Sequence, residues 1–171
     1  MIEGPRGRRL LGQALFALMF LILLFLRLIP MTPGRAGWPG PDLGLCLTLV
    51  WVLRRPEQAP VALIAGLFLI EDVLLWKPLG LWTAIVVLGS EAARRREHRW
   101  RELPFMVEWA RVAMLVAVMI LANRIVLALF FQPLPALGPA LLQYIATVAA
   151  YPLVAGVLHW PFGLSRTPTE T

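Results

Sequence analysis

Residues Trp38–Leu53 read WPGPDLGLCLTLVWVL. Whether this run crosses a membrane decides the fold. Counted from Asp42 it holds twelve residues, about 18 Å of helix at a rise of about 1.5 Å per residue. The hydrocarbon core of a bilayer is about 30 Å thick. A start at Trp38 brings the run closer to that length. The flanking charges argue that it crosses. Arg6, Arg8 and Arg9 precede a first apolar run, Leu10–Leu28. Arg94, Arg95, Arg96, Arg99 and Arg101 follow a fourth, residues 78–93. Positive residues collect on the cytoplasmic side of membrane proteins. An even number of crossings must therefore separate the two basic groups, and without residues 38–53 there would be three.

The composition agrees with a membrane class. Of 171 residues, 59% are hydrophobic and 15% charged, with a mean hydropathy of +0.74. Soluble domains carry about 25% charged residues, and a soluble fold of this size would leave much of the apolar surface wet. A soluble enzyme and a disordered chain are both excluded. The expectation is an all-α, polytopic protein with one transmembrane domain, residues 1–160. Its six spans are placed at about 10–28, 38–53, 59–76, 78–93, 105–131 and 137–158, with a polar cytoplasmic tail at 161–171. The first run suits an uncleaved signal anchor, because it is long and no small-x-small cleavage site follows. Pro78 suits a first-turn position, and Pro152 predicts a kink in the last helix. The basic residues then sort eleven to one side and three (Arg27, Arg35, Lys77) to the other, with both termini cytoplasmic. The tryptophans fall near predicted span ends, as interfacial rings do. His98 and His159 read as solvated interfacial residues.

Small residues mark the contacts between helices in lipid. Stripes at helical spacing include Gly44, Thr48 and Trp51 in the second span, Gly80 and Thr83 at the fourth, and Ala113, Ala117 and Arg124 in the fifth. Gly44, Thr48, Thr83, Ala113 and Ala117 are the candidates for packing against a partner helix. Ionisable groups within spans are costly and mark functional or paired sites. Glu71 and Asp72 lie about a turn from the outer end of the third span, and Arg124 about two turns from the outer end of the fifth. Asp72 and Arg124 are expected to approach each other. Glu108 and Arg111, at i and i+3, read as a local ion pair. Arg94, Arg95 and Arg96 read as an anchor to anionic lipid.

No nucleophile–base set, H-E-x-x-H or phosphate loop is present. No catalytic, cofactor or metal site is assigned. The single cysteine, Cys46, excludes an internal disulfide. The arginines are partitioned by loop and form no nucleic-acid readout element.

The stretch from Pro41 to Arg96 carries a resemblance. Pro41-Asp42-Leu43 and Trp51-Val52-Leu53-Arg54-Arg55-Pro56 look like the second span and basic turn of MreD, the rod shape-determining membrane protein family. Gly66, then Glu71-Asp72-Val73-Leu74, then Lys77-Pro78-Leu79-Gly80-Leu81 continue the likeness. The motif positions are Pro41, Asp42, Arg55, Pro56, Gly66, Asp72, Pro78 and Gly80. Trp76-Lys77 departs from the small or polar residues common there. The resemblance implies a non-enzymatic inner-membrane component of the bacterial elongation machinery that binds MreC. Through it the chain would meet MreB, RodA and a class B penicillin-binding protein, in support of lateral peptidoglycan synthesis. It also implies a compact six-helix bundle, similar to the substrate-binding subunits of energy-coupling-factor transporters, and leaves a homodimer open. The rival reading is a small-molecule-binding transporter subunit whose pocket is lined by Asp72, Arg124 and Gln143.

Overall fold

A computed structural model describes residues 5–29, 40–95, 104–134 and 136–162. Among these, the chain forms six α-helices and one short 3-10 turn. They are α1 (Pro5–Leu28), α2 (Leu43–Arg54), the 3-10 turn (Pro56–Gln58), α3 (Val61–Leu74), α4 (Leu81–Arg95), α5 (Phe105–Leu129) and α6 (Leu137–Phe162). Each expected span contains one helix. Three helices, α1, α5 and α6, are long and apolar enough to cross a membrane by length and composition. The other three have 12, 14 and 15 residues.

The shortness of α2 has a packing explanation. It contacts α1, α4 and α6, and every residue from Leu45 to Leu53 is buried. The remaining helices form an open ring about it, α1 against α3, α3 against α4, α4 against α5 and α5 against α6. A helix that is apolar all round belongs in such a centre. The long outer helices keep broad apolar faces on the outside, including Leu18 and Ile22 of α1, Met114 and Leu121 of α5, and Leu141 and Ile145 of α6.

Helix boundaries follow local chemistry. Asp42 is the N-cap of α2, and its side chain accepts from the Leu45 amide, so the helix starts at Leu43. Trp38 lies outside the described residues. Pro60 and Pro104 precede the first residues of α3 and α5, where a missing amide donor costs nothing. Pro78 is not in the first turn of α4. It stands ahead of it, in a turn closed by Gly80 at φ +80°, and its carbonyl accepts from the Leu81 amide at 3.2 Å. The last helix runs through Pro152 to Phe162.

α3 and α5 end alike. The Trp76 amide donates to the Val73 carbonyl, and the Lys77 amide to that of Asp72. In α5 the pairs are Phe131 to Ala128 and Gln132 to Leu127. Each is a Schellman closure, which places one residue in the left-handed region, usually glycine. Here those residues are Trp76 (φ 54°) and Phe131 (φ 53°). Both side chains are almost fully exposed, at 95% and 96%.

A column of aromatic rings fills the space between α1, α2 and α3. Phe16 stacks near Trp51 with centroids 5.5 Å apart, and Phe20 meets Phe68 edge-on at 4.9 Å. Gly44 admits this column, since a Cβ there would lie 2.9 Å from the Phe20 ring. Gly89 likewise admits the Met119 sulfur between α4 and α5. Trp51 is therefore a core residue and not an interfacial belt residue; its Nε1 donates to Gln58 Oε1.

Contacts at the two ends fix the helix directions. Arg9 near the start of α1 donates to the Glu57 carbonyl, and Arg94 near the end of α4 donates to the carbonyls of Pro56 and Ala59. At the other end, Arg27 of α1, Asp42 before α2 and Glu71 of α3 converge. The beginnings of α4 and α6 and the end of α5 meet Asp42 there. The six helices thus alternate in direction, with one arginine-rich end and one polar, mixed-charge end.

Candidate functional site

The mixed-charge end gathers the in-span ionisable groups. Glu71 is 2% exposed. Its Oε1 accepts from Arg27 Nη1 at 2.9 Å and from Lys77 Nζ at 2.7 Å. Arg27 Nη1 also stands 3.8 Å from Asp42 Oδ2. Two acids on α3 and before α2 are thereby tied to the end of α1 and the α3–α4 turn. Lone carboxylates buried at this depth would be costly, and paired ones are retained.

Asp72 has a different role from the one expected. Its Oδ2 accepts from the amides of Gly80 and Thr83 at 3.1 and 3.2 Å and from the Thr83 hydroxyl at 2.8 Å. The first turn of a helix has amides with no partner inside the helix. Asp72 supplies the acceptor from the preceding helix, acting as an N-cap across the turn. Its Oδ1 is buried without a hydrogen-bond partner. The expected approach of Asp72 to Arg124 therefore gives way to capping of α4. Of the two neighbouring acids on α3, Glu71 is the one paired with Arg27 and Lys77.

Arg124 lines a cavity of about 360 Å³ between the ends of α4, α5 and α6, together with Asp42, Lys77, Asn123 and Gln143. Leu45, Leu81, Val116, Ile120 and Leu127 supply its apolar wall. The floor is tied together by Thr147. Its hydroxyl accepts from the Asp42 amide and donates to the Gln143 carbonyl, and its carbonyl accepts from Cys46 Sγ. Among the described residues, no group of three or more His, Cys, Asp and Glu is placed to hold a metal ion.

The other sequence candidates fall as follows. Gly44 and Thr48 face the interior, Gly44 under Phe20 and Thr48 with its hydroxyl on the Gly44 carbonyl. Thr83 is buried on Asp72. Thr48 and Thr83 are buried within the bundle, and Gly44 is half-buried beside a hollow between α1 and α2. Ala113 is half-buried, and its carbonyl accepts from the Tyr144 hydroxyl. Ala117 is exposed. Gly66 is exposed, with no neighbour within 4 Å of where a Cβ would stand. Arg55 closes α2 through its amide, Pro56 opens the 3-10 turn, and the Pro41 carbonyl accepts from the Leu43 amide.

Arg94 joins α4 to the 56–59 turn and lies 3.4 Å from Glu91, so it is a structural clasp and not a free lipid anchor. Arg95 is exposed; Arg96, His98 and the rest of the loop lie outside the described residues, as do the His159 side chain and residues 163–171. Glu108 is buried and accepts from the Tyr151 hydroxyl at 2.9 Å, joining α5 to α6. Sequence reasoning missed Arg27, which read as a loop charge; its place within the apolar run, one residue before the end, was the available signal.

Comparison with known protein families, characterised proteins and solved structures finds no match.

Proposed function

We propose that the chain is a non-enzymatic membrane scaffold of the MreD type, which docks the transmembrane helix of MreC in the bacterial inner membrane. In this reading all six helices cross, both termini are cytoplasmic, and the arginine-rich end is the cytoplasmic one. The shorter α2, α3 and α4 lean on the longer helices around them. One observation carries the reading. Five of the eight motif residues, Pro41, Asp42, Asp72, Pro78 and Gly80, come together at one end of the bundle, while Arg55 and Pro56 lie at the other end and Gly66 is exposed on α3. Asp42 caps α2, Asp72 caps α4, and Gly80 makes the turn from α3 into α4. The acidic motif residues thus serve the same polar end, each at the start of a helix.

The partner face is the outward side of α5. Met114, Val118, Leu121 and Ile125 are 56–71% exposed and repeat at helical spacing around the small residue Ala117, a pattern suited to close helix contact in lipid. Site-specific crosslinking tests it. Adducts to MreC are expected from Ala117 and Val118 and not from Thr48 or Thr83, which are buried. Adducts from Gly44 with none from α5 would reject this face.

The cavity beside Arg124 supports a second reading, a binding subunit for a water-soluble vitamin or metabolite. A vitamin that co-purifies with the chain and raises its melting temperature would favour it.

A further inference from the structure

We infer that the cavity between α4, α5 and α6 binds an uncharged ring compound that carries an amide, taken up from the mixed-charge end of the bundle. The inference rests on the second reading above for its site, and names the class of ligand that the site takes.

The helix contacts account for the cavity. α5 is tied to α6 through its inner half. There the Tyr151 hydroxyl donates to Glu108, the Trp109 indole to the Val148 carbonyl, and the Tyr144 hydroxyl to the Ala113 carbonyl. Met119 fills the notch that Gly89 leaves in α4. Toward the other end α4, α5 and α6 enclose a space of about 360 Å³, within the range of small-molecule sites, about 300–1,000 Å³. Its floor is Leu45, Val116 and Thr147, all buried. From Val116 the lining continues along α5 to Leu127, about 16 Å of helix. Pro78 of the α3–α4 turn and Pro139 in the first turn of α6 stand at that same end, so the cavity opens there.

The walls are mostly carbon, from Leu45, Leu81, Val116, Ile120 and Leu127. Water filling such a space lies against apolar surface, and a carbon ring that displaces it is favoured by that burial. The polar groups define the rest of the ligand. The indole Nε1 of Trp82, a lining residue, is buried with no hydrogen-bond partner among the described residues. Buried polar groups are nearly always paired, so this N–H marks a place for an acceptor. Asn123 of α5 and Gln143 of α6 line the same space, and each carboxamide offers two donors and an acceptor. An amide on the ligand answers a carboxamide with a reciprocal pair of hydrogen bonds in one plane, which an ester or a ketone does not.

The charged residues of the lining favour a neutral ligand, because each is already engaged. Lys77 Nζ stands 2.7 Å from Glu71 Oε1. Arg124 interacts with another group of the protein. Asp42 accepts from the Leu45 amide and lies 3.8 Å from Arg27. A ligand anion would meet the Asp42 carboxylate, and a ligand cation would meet Lys77 and Arg124. Either would lose its water without gaining a counter-charge of its own. A purely apolar ligand would leave the Trp82 N–H and both carboxamides dry and unpaired.

The test uses the full chain in neutral detergent micelles and three probes built on one ring: benzamide, benzoate and toluene. Saturation-transfer NMR and thermal melting, each corrected with empty micelles, read the binding. Benzamide should bind about tenfold more tightly than either of the others and raise the melting temperature. Trp82→Phe keeps a ring and removes the N–H; Gln143→Met keeps the chain length and removes the amide. Each should weaken benzamide about three- to tenfold and leave toluene unchanged, and two such variants keep the test decisive if one fails to fold. Ala140→Phe, which fills part of the cavity, should weaken all three probes, and Arg95→Gln, at the other end, none. Benzoate or toluene binding as tightly as benzamide, and lost in Ala140→Phe, would overturn the amide class and leave the second reading standing. Benzamide binding that Trp82→Phe, Gln143→Met and Ala140→Phe all leave unchanged would lie outside the cavity and overturn the inference. Binding of none of the three would overturn it too, and the second reading would then stand or fall on the co-purified vitamin alone.

Discussion

Replacing Asp72 separates a capping role from an ion pair. The carboxylate is fully buried, and its Oδ2 accepts three hydrogen bonds from the start of α4. In Asp72→Ala the Thr83 hydroxyl can turn back to a carbonyl of its own helix, but the buried Thr83 amide and the half-buried Gly80 amide lose that acceptor. A buried amide left without a partner costs about 1–3 kcal/mol, and the half-buried one about 1 kcal/mol because water reaches it, so the variant should lose about 2–4 kcal/mol. Asp72→Asn keeps an oxygen at the Oδ2 position and should lose about 1 kcal/mol, since the new amide group takes the place of an oxygen that had no partner. If capping is the role, exchanging the charges in Asp72→Arg with Arg124→Asp gains nothing. The double variant should be as unstable as the sum of the single ones within about 0.5 kcal/mol. Equilibrium unfolding in mixed micelles reads the parent and all five variants. An Asp72→Ala variant within about 0.5 kcal/mol of the parent, or a charge exchange that restores most of the loss, would refute the reasoning.

Four further substitutions probe the packing. Gly44→Leu drives a side chain into the Phe20 ring, which Phe68 holds from the other side, and should cost about 1–3 kcal/mol; Gly66→Ala, with open space at its Cβ, should stabilise α3 by about 0.5–1 kcal/mol in the same unfolding assay. Trp76→Gly relieves a left-handed backbone and should raise stability by about 1 kcal/mol, seen as a higher midpoint in thermal melts. Tyr151→Phe removes the hydroxyl that Glu108 accepts and should cost about 1–3 kcal/mol, with faster amide exchange where α5 meets α6.

The sequence makes the helix number and alternation legible for a physical reason. Apolar runs and sided arginines are large, local signals, and they survive folding unchanged. The length of α2 was legible too, but its cause was not. A twelve-residue helix reads as a short span until α1, α4 and α6 are seen around it. The Asp72 error arose because depth along a span does not report direction. The Schellman turn at Trp76 folds the chain back so that Thr83, eleven residues on, reaches the carboxylate before any residue of α5 does. Gly44 shows the same limit for packing stripes: a small residue in a span marks close approach, and here the approaching group is Phe20 of the same chain. The cavity has no linear signature, because its lining comes from residues far apart in sequence, Asp42, Lys77, Arg124 and Gln143 among them.

The scaffold reading is tested most directly by depletion of this protein in its own host, followed by imaging of cell shape. The account predicts that rods widen and round as the protein is lost, and that a copy with the Asp72→Asn cap restores them where Asp72→Ala does not. Cells that keep their width and length through complete depletion would contradict it.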